Sequence, residues 1–141
     1  MQEKLLYIWD SDNNSYYPIP YITENDYSVK RNKLWGSDAG RNTFTGTFTG
    51  TLVGVFPTIT AKVGKSKLTE TDVSKLQKLL DKATVTAKYW DTKYQKYMKS
   101  KFYTNDSEVT IRSASKNVRF AEISIELTPI EKFDYDEWKV D

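Results

Sequence analysis

Histidine and cysteine are both absent from this sequence of 141 residues. Without them the chain cannot form a Ser–His or Cys–His nucleophile pair, and it has no thiolate or imidazole ligand for zinc. No disulfide can form either, so the sequence gives no sign of an oxidising compartment. Carboxylate, lysine, tyrosine or serine chemistry remains, but no pairing of such residues stands out. The sequence therefore favours a protein that is not an enzyme and that uses no metal or cofactor.

Long apolar runs are also lacking. The one run near the start, Leu5–Trp9, is shorter than a signal-peptide core and far below the roughly 20 residues of a membrane span. A net charge of +2 is too small to indicate nucleic acid or a membrane as the partner. We expect a soluble protein that is made and kept in the cytosol and that does not bind a membrane.

Aromatic residues, by contrast, are abundant, with ten Tyr, six Phe and four Trp. Such side chains bury large areas, so a core can form although the mean hydropathy is -0.65. The length predicts a single folded unit, since domains typically run to roughly 100–200 residues. Its parts differ in character: residues 1–42 form an irregular, aromatic N-terminal arm, residues 43–128 a β-rich domain, and residues 129–141 an acidic, aromatic C-terminal tail.

Two consecutive strands are predicted at the start of the β-rich domain. The stretch Thr43–Leu52 repeats TFTG twice, with Phe44 and Phe48 on one face and threonines on the other. This alternation of β-branched and aromatic residues is typical of a strand. A second strand is predicted over Val55–Val63, where Pro57 marks an edge, a bulge or a strand start because it cannot donate to a ladder.

A single good helix is predicted over about residues 69–83. Thr69 is a suitable N-cap, and Asp72 completes a variant capping box. The apolar residues recur at helical spacing on one stripe. They are Val73, Leu76, Leu79, Leu80 and Ala83. A helix of about four turns is not stable alone, so it must pack on a sheet.

Four further strands are predicted after the helix. Residues 84–104 are typical of a hairpin that turns at Asp91–Lys93, followed by a short strand over Val109–Ser113, a turn at Ala114–Ser115 and a last strand over Val118–Thr128. One helix cannot supply the crossovers that parallel strands need, so most pairing must be antiparallel. We expect an α+β fold: mainly an antiparallel β-sandwich or open barrel with one flanking α-helix, an extended N-terminal arm and a C-terminal tail.

Two segments of opposite charge could contact each other. Residues 84–104 carry five Lys against one acid among many aromatics, whereas residues 122–141 carry seven acids against two Lys. The contact could be internal or could join subunits, and a head-to-tail contact would build rings or stacks. Alternatively, the basic aromatic hairpin could bind single-stranded nucleic acid or carbohydrate.

Tyrosine, tryptophan and arginine are favoured anchors of protein interfaces, and we take the turn-rich loop at residues 34–42 as contact surface. The candidate interface residues are Trp9, Tyr16, Tyr17, Tyr21, Tyr27, Trp35, Arg41, Asn42, Lys96, Lys99, Lys101, Phe133, Tyr135 and Trp138.

Residues 27–130 resemble small tail or baseplate proteins of tailed bacteriophages that infect Gram-positive bacteria. The resemblance is one of general pattern, carried by the loop Gly40–Asn42, the Thr/Gly stretch after it, the helix at Leu68–Ala83 and the hairpin around Tyr89–Asp91. It implies a tail-tube-like β-sandwich or barrel that assembles into rings. It also implies a non-enzymatic virion subunit at the tube end or baseplate, made in the cytoplasm of a bacterial host, with copies of itself and other tail proteins as partners. A head–tail joining protein is the alternative, and a nucleic-acid partner is not expected.

Overall fold

A computed structural model describes residues 5–23, 25–64, 67–106, 108–114 and 118–140. Within these ranges the chain forms eleven strands and two helices. The strands are β1 (Leu6–Asp10), β2 (Ser15–Pro18), β3 (Ser28–Trp35), β4 (Gly40–Arg41), β5 (Phe48–Thr49), β6 (Leu52–Val63), β7 (Val85–Asp91), β8 (Lys96–Thr104), β9 (Ile111–Ala114), β10 (Val118–Phe120) and β11 (Ile123–Pro129). The helices are α1 (Glu70–Leu80) and α2 (Tyr135–Trp138).

Seven strands form one sheet in the order β2-β1-β7-β8-β11-β6-β3, and every neighbouring pair is antiparallel. Two small ribbons, β9 with β10 and β4 with β5, accompany it. The predicted α+β class with mainly antiparallel pairing and a flanking helix is confirmed. We call the sheet face that packs against α1 the inner face, and the opposite side the outer face.

Helix α1 begins and packs as its sequence predicts. Thr69 Oγ1 accepts the N–H of Asp72 at 3.2 Å, and an Asp72 carboxylate oxygen accepts the N–H of Thr69 at 3.1 Å, so the capping box is complete. The apolar stripe is buried in the same cluster as the inner-face residues of the sheet. The predicted end was wrong: the helix stops at Leu80, and Ala83 is exposed because the chain is already turning towards β7.

The irregular structure expected over residues 1–42 was wrong, because β1, β2 and β3 belong to the main sheet. In β1, Leu6 and Ile8 are fully buried while Tyr7 and Trp9 point to the outer face. Apolar residues on both faces conceal the period-two pattern by which strands are recognised in a sequence.

The continuous strand predicted over Thr43–Leu52 was also wrong. The chain turns within this stretch because the side-chain oxygen of Asn42 accepts the N–H groups of Phe44 at 2.8 Å and Thr45 at 3.0 Å. Gly46 then takes a φ of +74°, in the left-handed region that suits glycine. A two-residue strand, β5, follows before β6 begins.

The hairpin predicted over residues 84–104 is present as β7 and β8, in register from Val85 opposite Phe102 to Asp91 opposite Lys96. The predicted last strand divides into β10, which pairs with β9, and β11, which belongs to the main sheet. Ser115, in the turn predicted before it, lies outside the described residues.

Beyond β11 the chain fills a gap in the sheet. β11 pairs with β6 only as far as Ile59, so Pro57 lies where no strand faces β6 on that side. Residues 130–140, here the C-terminal segment, enter this gap: the N–H of Ile130 donates to Lys101 O at 3.1 Å, and the N–H of Phe133 donates to Val55 O at 2.8 Å. Neither described helix is long and apolar enough to cross a membrane.

Candidate functional site

The hairpin of β3 and β6 continues past the end of β11 and carries a cluster of exposed apolar side chains. We call residues 33–55 the arm. Its large exposed residues are Leu34, Trp35, Phe44, Phe48, Leu52 and Val53, which are 39–97% exposed. This number of large exposed apolar side chains on one hairpin favours an interaction site.

The tip of the arm is held by its own contacts. The Arg41 guanidinium donates to Gly46 O at 3.1 Å and lies 5.7 Å from the centroid of the Phe48 ring. Trp35 packs edge-on against the same ring, with 4.9 Å between centroids. Together with the turn at Asn42, these contacts fix the tip before any partner binds, which lowers the entropic cost of association.

The outer face carries a second cluster, formed by aromatic residues around one lysine. The Lys88 ammonium lies 4.3 Å from the ring centroid of Tyr7, 5.4 Å from that of Tyr16 and 5.3 Å from that of Tyr97. Trp90 packs edge-on against Tyr97 at 5.3 Å. Partial burial in this cluster raises the pKa of the Tyr16 hydroxyl.

The basic aromatic hairpin does not present its rings on one surface. Tyr89 and Phe102 are fully buried on the inner face, whereas Trp90 and Tyr97 lie on the outer face. Burial raises the pKa of the Tyr89 hydroxyl, which donates to a carboxylate oxygen of Asp91 at 2.9 Å. These inner rings serve the core and cannot stack with a ligand.

The C-terminal segment packs against the hairpin of its own chain. Phe133 stacks on Tyr94 with 5.6 Å between centroids, and Tyr135 contacts the same ring at 4.9 Å. Lys96 donates a hydrogen bond to the Tyr135 hydroxyl. Trp138 is only 3% exposed. In this structure the contact expected between the basic hairpin and the acidic tail is therefore internal.

A cationic side chain reinforces this packing. The Arg31 guanidinium lies 5.1 Å from the centroid of the Phe133 ring and 3.6 Å from a carboxylate oxygen of the buried Asp91. Asp91 also accepts the backbone N–H groups of Lys93 at 2.8 Å and Tyr94 at 3.2 Å. Asp91 thus links β3 to the hairpin turn, and Arg31 links both to the C-terminal segment.

The remaining candidate tyrosines of the N-terminal region lie apart from the arm. Tyr17 packs on the inner face beneath Lys75, whose ammonium lies 5.8 Å from the ring centroid. Tyr27 donates to Trp90 O at 2.8 Å, and burial raises the pKa of its hydroxyl. Tyr21 is 45% exposed.

The structure brings some of the candidate residues together. Trp9 and Tyr16 lie side by side on the outer face, with 5.1 Å between ring centroids. Trp35, Arg41 and Asn42 all lie on the arm.

A cavity of about 380 Å³ opens between β8 and the C-terminal segment. Tyr16, Ile130 and Trp138 contribute apolar surface to it. Its charged lining residues are Lys99, Lys101, Glu131 and Glu137, so both signs of charge occur at one opening. Among the described residues no group of three or more acids is placed to hold a metal ion.

The sequence analysis did not select Phe44, Phe48 and Leu52 as candidate interface residues, because their alternation with threonine placed them on one face of a continuous strand. The signal that could have revealed them is the pair of turn formers around Phe44. The side-chain oxygen of Asn42 can accept a hydrogen bond from the backbone N–H two residues later, and Gly46 tolerates a positive φ.

Comparison with known proteins places the chain in a family. Residues 8–131 match a family of unknown function, DUF6711. The chain belongs to this family. None of the curated proteins compared with this DUF6711 protein matches it.

Two solved structures resemble this DUF6711 protein. One belongs to the tail of an empty gene transfer agent particle, computed with helical refinement and C6 symmetry, and is 12% identical to this chain. The match covers 87% of this chain and 90% of the other chain, with a TM-score of 0.53. The other comes from the virion of a native gene transfer agent particle and is 13% identical. The match covers 90% of this chain and 93% of the other chain, with a TM-score of 0.47. At this identity the first similarity establishes a shared fold.

Proposed function

We propose that this DUF6711 protein is a non-enzymatic structural subunit of a phage-type tail, at the tube end or baseplate, that assembles with copies of itself and with other tail proteins. The observation that carries the proposal is the shared fold with a chain of a gene transfer agent tail, which spans 87% of this protein. The protein would then be made in the cytoplasm of a bacterial host and end in the virion. Fold alone does not fix function, so the surface must supply the further argument.

The arm supplies that argument. The arm extends past the end of β11, it includes a phenylalanine that is 97% exposed, and the backbone of its tip is held by local hydrogen bonds. A protein that functions alone gains nothing from such a surface, and exposure of this kind favours aggregation unless a partner covers it. An arm on one copy that contacts a different surface on the next gives a heterologous contact, which closes into rings or extends into stacks.

The test is the oligomeric state over a wide range of concentration. We expect light scattering to show assembly that grows with concentration, or on addition of the adjacent tail proteins, and electron microscopy to show rings or tubes. Leu52→Ser on the arm should weaken assembly, whereas Ile111→Ser, which changes a side chain 60% exposed on β9, should not. A strict monomer under every condition, with and without the adjacent tail proteins, would overturn the proposal.

A second candidate function rests on the outer face. The outward positions of β1, β2, β7 and β8 carry Lys88, Lys99 and Lys101 among aromatic rings and no acid. Such a surface could hold a single-stranded nucleic acid through phosphate contacts and base stacking.

A matched pair of lysine variants tests this second candidate. Lys99→Glu should abolish salt-dependent binding of a labelled oligothymidine, measured by fluorescence anisotropy. Lys96→Glu, which changes the same charge on the inner face, should not. Absence of binding by the wild-type protein at low salt removes this candidate.

A further inference from the structure

We infer that Phe44 of one copy occupies the cavity between β8 and the C-terminal segment of a second copy. This inference rests on the proposed function and names the acceptor for the arm. It joins two features that have no role within one chain: an aromatic side chain without cover and a cavity without an occupant among the described residues.

The donor is Phe44, at the tip of the arm. Its side chain is 97% exposed, so it neither packs in the core nor fills the cavity of its own chain. Its backbone N–H donates to Asn42 at 2.8 Å, and Arg41 holds the far side of the turn through Gly46. The ring is therefore presented on a fixed support, as an interface anchor must be.

The acceptor cavity has the size and lining that an aromatic side chain needs. Its volume of about 380 Å³ exceeds that of a phenyl ring and leaves room for part of the turn. Tyr16 and Ile130 line it, and Ile130 is 45% exposed, so apolar surface on both partners would be removed from water.

Charge supports the same match. The arm carries one acid, Asp38, and one base, Arg41, within six residues before Phe44 in the sequence, and the cavity lining offers both signs of charge. The Arg41 guanidinium can pair with Glu131 or Glu137, while Lys99 and Lys101 accommodate an acid. A segment that carries both charges therefore fits this opening better than a purely anionic ligand does.

The contact is heterologous because donor and acceptor are different surfaces of one chain. Each half can therefore be disabled separately. Phe44→Ala removes the donor and leaves the cavity intact, whereas Thr86→Trp fills the cavity and leaves the arm intact. Either variant alone lacks one half of every such contact. A mixture of the two can form one contact, between the arm of the Thr86→Trp copy and the cavity of the Phe44→Ala copy.

We expect each variant to lower the apparent association constant by about tenfold or more in light scattering, as loss of an anchor residue does. An equimolar mixture should yield 1:1 pairs and nothing larger. Ile111→Ala, at another exposed apolar residue, should assemble like the wild type, and unchanged thermal midpoints should show that all variants fold. As a second readout, Arg41→Glu should weaken assembly, and adding Glu131→Lys with Glu137→Lys should restore it.

The possible failures are distinguishable. If the wild-type protein never assembles, the proposed function fails, and this inference with it. If the wild type assembles and Phe44→Ala assembles equally well, only the inference is overturned. Loss of binding to another tail protein with self-association unchanged also overturns it, because the occupant of the cavity would then not be a second copy.

Discussion

Replacing Trp138 with alanine tests whether the C-terminal segment is seated in its own chain. Trp138 is 3% exposed and packs edge-on against Phe133, Phe102 and Tyr89, with centroid distances of 4.9, 6.0 and 6.4 Å. Truncation of a buried tryptophan to alanine costs ~3–5 kcal/mol. The loss cannot exceed the free energy that holds the segment in place, since the segment can detach while the sheet stays folded. We therefore expect the lower end, about 3 kcal/mol.

The measurement is urea unfolding followed by far-ultraviolet circular dichroism, which does not depend on the tryptophan removed. With a slope of about 1–3 kcal/mol/M for a small protein, the midpoint should fall by roughly 1–3 M. Val140→Ala, at a residue of the same segment that is 38% exposed, should leave the midpoint almost unchanged.

A loss below about 1 kcal/mol with an unchanged slope would refute this reasoning, because it would show that less than about 1 kcal/mol holds the segment to its own chain. At concentrations where the wild type is monomeric, the loss should be present in full. A loss seen only at concentrations where copies associate would show that the segment binds a neighbouring copy and not the chain from which it comes.

Three further predictions concern stability. Thr69→Ala removes the α1 cap and should cost ~0.5–2 kcal/mol in urea unfolding, whereas Thr69→Ser should retain most of the stability. The hydrogen bond from Lys75 holds the pKa of Asp10 at about 2, below its usual 3.8, so the carboxylate stabilises the fold fully above pH 3.8 and this contribution is lost as the pH falls towards 2. Asp10→Asn should therefore be less stable than the wild type at neutral pH, and acid unfolding curves should show the difference shrinking across that window; a constant difference would contradict this. Gly64→Ala should lower the thermal midpoint, at a cost above ~1 kcal/mol, because Gly64 has a φ of +120° and a Cβ there would lie 2.7 Å from a leucine methyl, whereas Gly40→Ala, with open space around it, should not.

The parts of the fold that sequence reasoning predicted well are those set by local rules. The capping box at Thr69 and the stripe from Val73 to Leu80 need no knowledge of the rest of the chain. The hairpin around Asp91 likewise follows from alternation and a turn between the strands, and Asp91 stabilises that turn through two backbone N–H groups.

The errors arose where distant parts of the chain determine the outcome. Strand β1 was not predicted because its outward residues, Tyr7 and Trp9, are aromatic and so remove the alternation of apolar and polar residues. The reason for aromatic residues at the outer face lies in distant strands, since β7 and β8 place Lys88 and Tyr97 beside Tyr7. Phe44 was assigned to a strand because its alternation is regular, yet the hydrogen bonds of Asn42 outweigh that pattern.

The candidate site could be predicted only in part. The turn-rich loop with Trp35 and Arg41 does lie on the exposed arm, although as interface residues they stay predictions. Trp138 was indistinguishable in the sequence from an exposed anchor. Its burial depends on the gap beside β6, which no local pattern encodes.

The turn between Arg41 and Phe48 is stabilised almost entirely by atoms within it, and it contributes nothing to the core. The six residues between Arg41 and Phe48 can therefore be exchanged, lengthened or replaced by a foreign peptide at little cost to folding. The surface of this turn could thus diverge quickly between members of the family while the scaffold stays constant, and an engineer could use the same position to display an epitope.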